Sequence, residues 1–533
     1  MTTPLDGTAP TAARAAARVV VTDVELVDRL GADLARAGYT VADVDALLGP
    51  VASAALHREE AVPALRATLE PVDRRAHPDP CAVLVRLFVL GAQVSRRALD
   101  AALPTLTTDG ALRLGLVDAA GAGPDDAVRA LVDLRPYAAA DATGTVDWWI
   151  ASDLGELATG GSLRTDHVLG VGGASTTLAQ VTMRTPRERV LDLGTGCGIQ
   201  ALHATRHART VVGTDISARA LAFAQFNATL AHVQGQVTLR AGSMLEPVAG
   251  ELFDLVVSNP PFVITPRTAG VPAYEYRDGG RSGDAIVREL ITDVGAVLAP
   301  GGVAQLLGNW EIRRGEQWHE RVGTWLDASG LDGWVVQREV QDPAQYAETW
   351  IRDGGTTPDR DRDAWAARYG AWLDDFASRD VEAIGFGLVT LRRPVVGPVG
   401  LRRLEEVTGS VRQPLGGVFA AALDAHDWLA ARDDDVLVAE RLVVAGDVTE
   451  ERYLTPGDPD PSIVLLRQGG GFGRTVRAGT ALAGFVGACD GELAVGQILG
   501  ALGALLDVDV DAVAADVLPS VRGLVRDGLL GTS

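Results

Sequence analysis

Lysine is missing from all 533 residues, so every one of the 48 basic residues is arginine. That excludes a lysine Schiff base, a lysine nucleophile and the lysine of a phosphate-binding P-loop. Cysteine is nearly missing as well. Its three copies, Cys81, Cys197 and Cys489, lie too far apart for a C-x-x-C pair, a zinc site or a disulfide framework, so no metal is expected. No apolar run approaches the ~20 residues that cross a bilayer. Met1–Val21 carries Arg14 and Arg18 in an alanine-rich stretch instead of the apolar core of a signal peptide. The expectation is a cytoplasmic chain with no membrane partner. Positive charge is also in deficit, the net being −22. Tight non-specific nucleic-acid binding draws its affinity from phosphate neutralisation, so this balance argues mildly against it while leaving room for a local arginine patch.

What is present is concentrated in two motifs. The first runs from Val190 to Ile216 and reads as strand, glycine-rich turn, helix, strand. Gly194, Gly196 and Gly198 let a ligand approach the backbone closely. Asp215 ends the second strand 21 residues past Gly194, where an acid binds ribose hydroxyls. A dinucleotide fold is the rival reading, but its G-x-G-x-x-G fingerprint has the third glycine one residue later than Gly198. Here Asp192 also precedes the turn. A carboxylate at that point can bind an amino group, whereas it would repel a pyrophosphate.

The second motif is Asn259-Pro260-Pro261-Phe262, directly after the apolar run Phe253–Ser258. That run is short and rich in β-branched residues, as expected of a buried parallel strand. Proline ends it and holds Asn259 and the Pro260 carbonyl at the carboxyl edge of the sheet, where open α/β sheets bind ligands. Two acceptors side by side suit a planar –NH2 group with two hydrogens, and Phe262 can stack on its plane. Such a nitrogen is a weak nucleophile because its lone pair is delocalised. Acceptors that grip both hydrogens favour the state in which positive charge builds on it.

Together the motifs resemble the class I S-adenosylmethionine-dependent methyltransferases, and within them the Asn-Pro-Pro-aromatic amino-methyltransferases. The resemblance covers about residues 155–395 and implies a seven-stranded, Rossmann-like α/β sheet. It implies S-adenosylmethionine as cofactor, its methionine part held by Asp192, Gly194, Thr195, Gly196 and Gly198, and its ribose by Asp215 with Ile216 alongside. Ser243 and Met244 fall at the adenine, although the family usually has an aspartate where Ser243 stands. Asn259, Pro260, Pro261 and Phe262 become the catalytic residues, with Asn259 also bordering the cofactor. Asp278–Asp284, followed by Leu298-Ala299-Pro300-Gly301-Gly302, resembles the HemK-like glutamine methyltransferases, which modify a glutamine amide in translation release factors. Phe in place of Tyr at position 262, and the segment Thr165–Thr177, resemble ribosomal RNA guanine and adenine methyltransferases. A release-factor-like protein and an RNA therefore both stand as macromolecular substrates. A third reading is a cofactor-binding regulator without catalysis, against which the intact Asn259–Phe262 speaks. His167 reads as a structural hydrogen-bonder rather than a base.

Three regions are expected. Residues 1–150 read as a helical, winged-helix-like domain, with Gly38 breaking the apolar pattern of Val24–Leu48 and Pro50, Pro63, Pro71 and Pro78 separating later helices. Trp148 and Trp149 are placed to dock it on the next domain. Residues 151–395 form the methyltransferase domain, with a lid-like insertion at about 340–385 between strands at Trp334–Arg338 and Phe386–Leu391. In that insertion Tyr346 and Trp350, four apart, are placed to pack together. Residues 396–533 read as a winged-helix-like α+β domain with strands at Val436–Val444 and Ser462–Arg467.

Overall fold

The computed structural model describes residues 19–69, 79–141, 143–159, 163–268, 271 and 274–532. Arg14, Arg18, Pro71 and Pro78 lie outside them. The chain divides into two units, Met1–Ala179 with Pro186–Gly397, and Gln180–Thr185 with Pro398–Ser533.

The first unit begins with the helix Val24–Arg36, started by Asp23, whose carboxylate accepts from Leu26 N at 3.2 Å. Leu26, Val27, Leu30 and Leu34 fall on one stripe and are buried, each worth roughly 1.5–3 kcal/mol relative to exposure. Gly38, at φ +61°, turns the chain into the helix Val41–Leu56, which kinks at Gly49 (φ +68°) before Pro50. Helices Pro80–Leu84, Arg96–Ala102 and Thr107–Arg113 follow, with a three-stranded antiparallel sheet of Val94–Ser95, Ala127–Ala130 and Val117–Ala119. The hairpin Asp133–Asp141/Gly144–Ser152 carries both tryptophans. Trp149 Nε1 donates to Tyr39 O at 2.6 Å, and Trp148 meets the His203 ring edge-on at 5.1 Å. The tryptophan pair therefore packs the helical part onto the sheet region.

Seven strands of the central sheet lie in this unit: β1 Arg187–Leu193, β2 Ala208–Asp215, β3 Val237–Ala241, β4 Phe253–Ser258, β5 Leu298–Arg313, β6 Asp332–Gln341 and β7 Val381–Arg392. Their spatial order is β6-β7-β5-β4-β1-β2-β3. The five from β3 to β5 are parallel, and β7 is antiparallel to both β5 and β6. Within this unit the sheet counts the seven strands expected.

Helices α1 Ile199–Thr205 and α2 Ala218–Leu230 follow β1 and β2. Gly198 (φ +88°) lets them meet, since a Cβ there would lie 3.1 Å from Ala224 Cα. The insertion between β6 and β7 is two helices, α3 Pro343–Asp353 and α4 Arg362–Ala377, started by the side chains of Asp342 and Asp361. Strand β5 matters for the site. Its Leu306 pairs with Ser258 at the end of β4, so Leu307–Arg313 continue past the sheet edge with β7 alone beside them.

The second unit holds helices Gly416–Ala430, Thr480–Gly487, Val495–Leu506 and Val510–Arg526 and two three-stranded antiparallel sheets. The strand expected at Val436–Val444 begins later, at Arg441. Asp433 accepts from Val436 N at 2.9 Å and starts a helical turn, Asp434–Leu437, over its first part. Among the described residues no helix is long and apolar enough to cross a membrane.

Candidate active site

Register brings the two motifs together. Leu193 of β1 is opposite Thr214 of β2 on one side and Ser258 of β4 on the other. Gly194, Asp215 and Asn259 therefore emerge side by side at the carboxyl edge. Gly194 N and Thr195 N both donate to Thr214 O at 2.9 Å, and the buried Ser258 Oγ donates to Leu193 O at 2.7 Å. The glycine turn and the Asn-Pro-Pro run are joined by that last bond.

Gly194 (φ +73°) and Gly196 (φ +55°) both adopt left-handed geometry, and a Cβ at either would face open space. The cradle is thus backbone with room beside it. Asp192 is 1% exposed, and its Oδ2 accepts from Thr195 Oγ1 at 2.6 Å and Ala201 N at 2.8 Å. Asp192 and Thr195 accordingly tie the turn to the start of α1 before they serve any ligand; Asp192 Oδ1 takes neither bond. Burial pushes the Asp192 carboxyl up to about 7. Asp215 accepts from Gly196 N at 2.9 Å and Ser217 N at 2.8 Å, and burial raises its pKa too. Ile216, 67% exposed, stands at the rim beside it. Gly242 N donates to Asp215 O at 3.0 Å, which brings the Ser243–Met244 turn to the same edge. Cys197 is buried and its thiol is pushed up to about 12, which fits space-filling. An open glycine cradle between two carboxylates fits S-adenosylmethionine, which carries an ammonium and a ribose diol.

On the other side, Asn259 Oδ1 is buried and has no hydrogen-bond partner among the described residues. Pro260 O already accepts from Phe262 N at 2.7 Å in a three-residue turn, so it offers a pocket its second lone pair only. Pro261 O is crossed closely by Gly279, where a Cβ would sit 3.1 Å away and run into Ile286. Phe262 pairs with Asp278 through an isolated bridge and meets the Trp350 ring edge-on at 6.4 Å. The acids of Asp278–Asp284 are structural: Arg267 holds Asp278 (3.0 Å), Arg321 holds Asp284 (2.7 Å), and Asp284 also accepts from Glu311 N (2.9 Å). His167 is buried edge-on to Tyr276 at 5.7 Å, and burial lowers its pKa.

Two contacts here escaped the sequence. Tyr346 Oη accepts from Ile264 N at 3.0 Å, and Arg277 donates to Trp350 O at 2.8 Å, each across more than seventy residues. Their only sequence signal is a cluster of aromatics in the insertion.

Residues 170–326 match the family described as "Methyltransferase small domain". That region is a methyltransferase small domain. Its flanks, 36–131 and 420–532, each match a family described as a domain of unknown function. A ribosomal protein uL3 glutamine methyltransferase of Bradyrhizobium diazoefficiens is 34% identical over 193 residues, 34% of this chain and 59% of that protein. A release factor glutamine methyltransferase of Moorella thermoacetica is 40% identical over 126 residues, 22% of this chain and 44% of that protein. The chain spans about half the length of these curated relatives. Among solved structures, a SAM-dependent methyltransferase from Thiobacillus denitrificans in complex with S-adenosyl-L-homocysteine is 18% identical. It matches 41% of this chain and 89% of its own, with a TM-score of 0.24. The methyltransferase small domain contains both halves of the edge described above, from the cradle on β1 to Asn259 after β4.

Proposed function

We propose that the chain is an S-adenosylmethionine-dependent N-methyltransferase acting on the carboxamide nitrogen of a protein glutamine in the translation apparatus. One observation carries this reading: a buried amide oxygen, Asn259 Oδ1, without a partner among the described residues, stands at the sheet edge next to the open glycine cradle. Leaving such an acceptor unpaired costs about 1–3 kcal/mol, so its use is expected to come with the substrate.

When bound, S-adenosylmethionine supplies a methyl group on a sulfonium. Asp192 Oδ1 would hold its ammonium, Asp215 its ribose hydroxyls, and Ser243 with the Met244 backbone the adenine edge. Ile216 would cover the rim. Asn259 Oδ1 and the second lone pair of Pro260 O hold the two acceptor N–H groups, and Phe262 bounds the amide plane. The cofactor would supply the methyl group to the nitrogen so held, and the acceptor would give up one N–H proton to solvent. Positioning supplies most of the rate, because reacting atoms held in line avoid the entropy of encounter.

The names of both relatives, uL3 and release factor glutamine methyltransferases, favour a protein acceptor, as does the net charge of −22. We read 1–150 and 396–533 as winged-helix-like accessory domains that flank the catalytic region 151–395 in the sequence. In the test, the protein is incubated with radiolabelled cofactor and a cell extract, then divided between nuclease and protease. Label that survives nuclease and maps by mass to glutamine supports the reading. Label removed by nuclease would replace it with an RNA base methyltransferase, and no label at all with a cofactor-binding regulator.

A further inference from the structure

The insertion reads from sequence as a lid, and its helix α3 is tied to the segment after Phe262 by a buried side chain. Tyr346 is fully buried, and its ring lies 5.6 Å from both Phe376 and Phe386 and 5.9 Å from Trp372. Its Oη accepts from Ile264 N, two residues past Phe262, and lies 2.6 Å from Asn309 Nδ2 on the overhang of β5. Swinging α3 away would strip Ile264 N of its acceptor inside an apolar cluster. One turn along the same helix stands Trp350. Arg277 holds its carbonyl at 2.8 Å, and its ring meets Phe262 at an interplanar angle of 78°.

The Trp350 indole N–H is buried and has no hydrogen-bond partner among the described residues. Asn259 Oδ1 is the same, with opposite polarity. Phe262 thus touches the ring that carries one orphaned donor and lies three residues after the side chain that carries one orphaned acceptor. A primary carboxamide presents the complementary pair, an –NH2 and a carbonyl oxygen in one plane. We propose that Trp350 Nε1 donates to the carbonyl oxygen of the acceptor carboxamide while Asn259 Oδ1 takes its nitrogen, so that Trp350 selects an amide as substrate. This rests on the methyl-transfer reading and adds the residue that recognises the acceptor's second atom. A hydrogen bond to the carbonyl draws electron density away from the nitrogen. The bond therefore binds and orients, and its loss belongs in KM, not in kcat.

Two measurements on the full chain test it. Trp350→Phe keeps an aromatic ring against Phe262 and removes the donor. With a short peptide carrying one central glutamine, KM is expected to rise about tenfold, with kcat and cofactor affinity near wild type. An unchanged KM, or a loss confined to kcat, would overturn the assignment. Independently of turnover, the indole 1H–15N resonance lost in Trp350→Phe identifies Trp350 in the wild-type spectrum. In the presence of S-adenosyl-L-homocysteine it is expected to shift downfield on adding N-acetylglutamine amide and not on adding adenosine. A shift with adenosine instead, or with neither, overturns it. Failure of the methyl-transfer reading shows elsewhere, as a wild-type protein that labels no protein acceptor.

Discussion

On the β1–β2 side of Asn259 the pocket is made of backbone and of short-range bonds. Thr195 reaches Asp192 three residues away and Gly196 reaches Asp215 nineteen away. On the β5–β7 side it is made of side chains from distant segments: Tyr346 meets Ile264 across 82 residues and Asn309 across 37. The first side is a rigid edge of a parallel sheet with room left for a ligand. The second is a packed aromatic cluster that includes Trp350, whose indole N–H has no partner among the described residues. On the proposed reading such a division lets cofactor affinity and acceptor handling be changed separately, and the sharpest way to break the comparison is to find one leaking into the other.

The largest effect is expected at Asn259. Asn259→Ala removes an acceptor used when charge builds on the nitrogen, so kcat should fall by roughly 10²–10³. Cofactor affinity by calorimetry should stay within about twofold, because none of the bonds that shape the cradle involves this side chain. A large loss of cofactor binding would show that the two sides are one unit. Asp215→Ala is the mirror experiment. Loss of a charged hydrogen-bonding group predicts cofactor affinity about 10–100-fold weaker, with the acceptor's KM unchanged at saturating cofactor.

The same division explains what was legible in the sequence. The placement of Gly194, Gly196, Gly198 and Asp215 could be read because backbone geometry and a strand end fix it within one strand-turn-helix-strand unit. Asn259–Phe262 could be read because proline fixes the exit from a strand. The insertion was visible as a run of aromatics and acids, and the four-residue spacing of Tyr346 and Trp350 did foretell their contact, at 6.0 Å between ring centroids. What Tyr346 does was not visible, since nothing local points a phenol at Ile264 N. The roles of Asp192 and Pro260 were only half visible. Each carries a bond inside the protein, Asp192 to Thr195 and Ala201 and Pro260 to Phe262 N, that the motif alone does not disclose.

A smaller effect, confined to the cofactor side, is pH dependence through Asp192. Its carboxyl is pushed up to about 7 by burial, so in the cofactor-free protein it holds a proton that the unfolded chain releases near pH 4. Two opposite trends follow. Its contribution to folding stability is complete below about pH 4 and is lost as pH rises through about 7. An ammonium needs the ionised carboxylate, so cofactor affinity should instead fall below pH 7, by at most about tenfold per pH unit. Calorimetric titrations and melting curves between pH 5 and 8 measure both, and Asp192→Asn should flatten both. An affinity that does not change with pH would take Asp192 out of the ammonium site.

The smallest effect on turnover is expected from Tyr346→Phe, yet it discriminates best on the acceptor side. The ring stays among Trp372, Phe376 and Phe386, so packing is kept, but Ile264 N loses its acceptor in a buried setting. That costs about 1–3 kcal/mol of stability. Turnover should fall only a few-fold, because Ile264 lies beyond Phe262 and acts on Asn259 through the intervening chain. Cofactor affinity should not move. If α3 were a hinged cover that closes over the substrate, the phenol bond would form only on closure. The variant would then lose KM or kcat while the free protein melted at its wild-type temperature. A lowered melting temperature without cofactor or acceptor means that the bond exists before anything binds. The acceptor wall is then part of the folded state, prepared before binding like the glycine cradle opposite, and the two sides differ in how they are built and not in when they form.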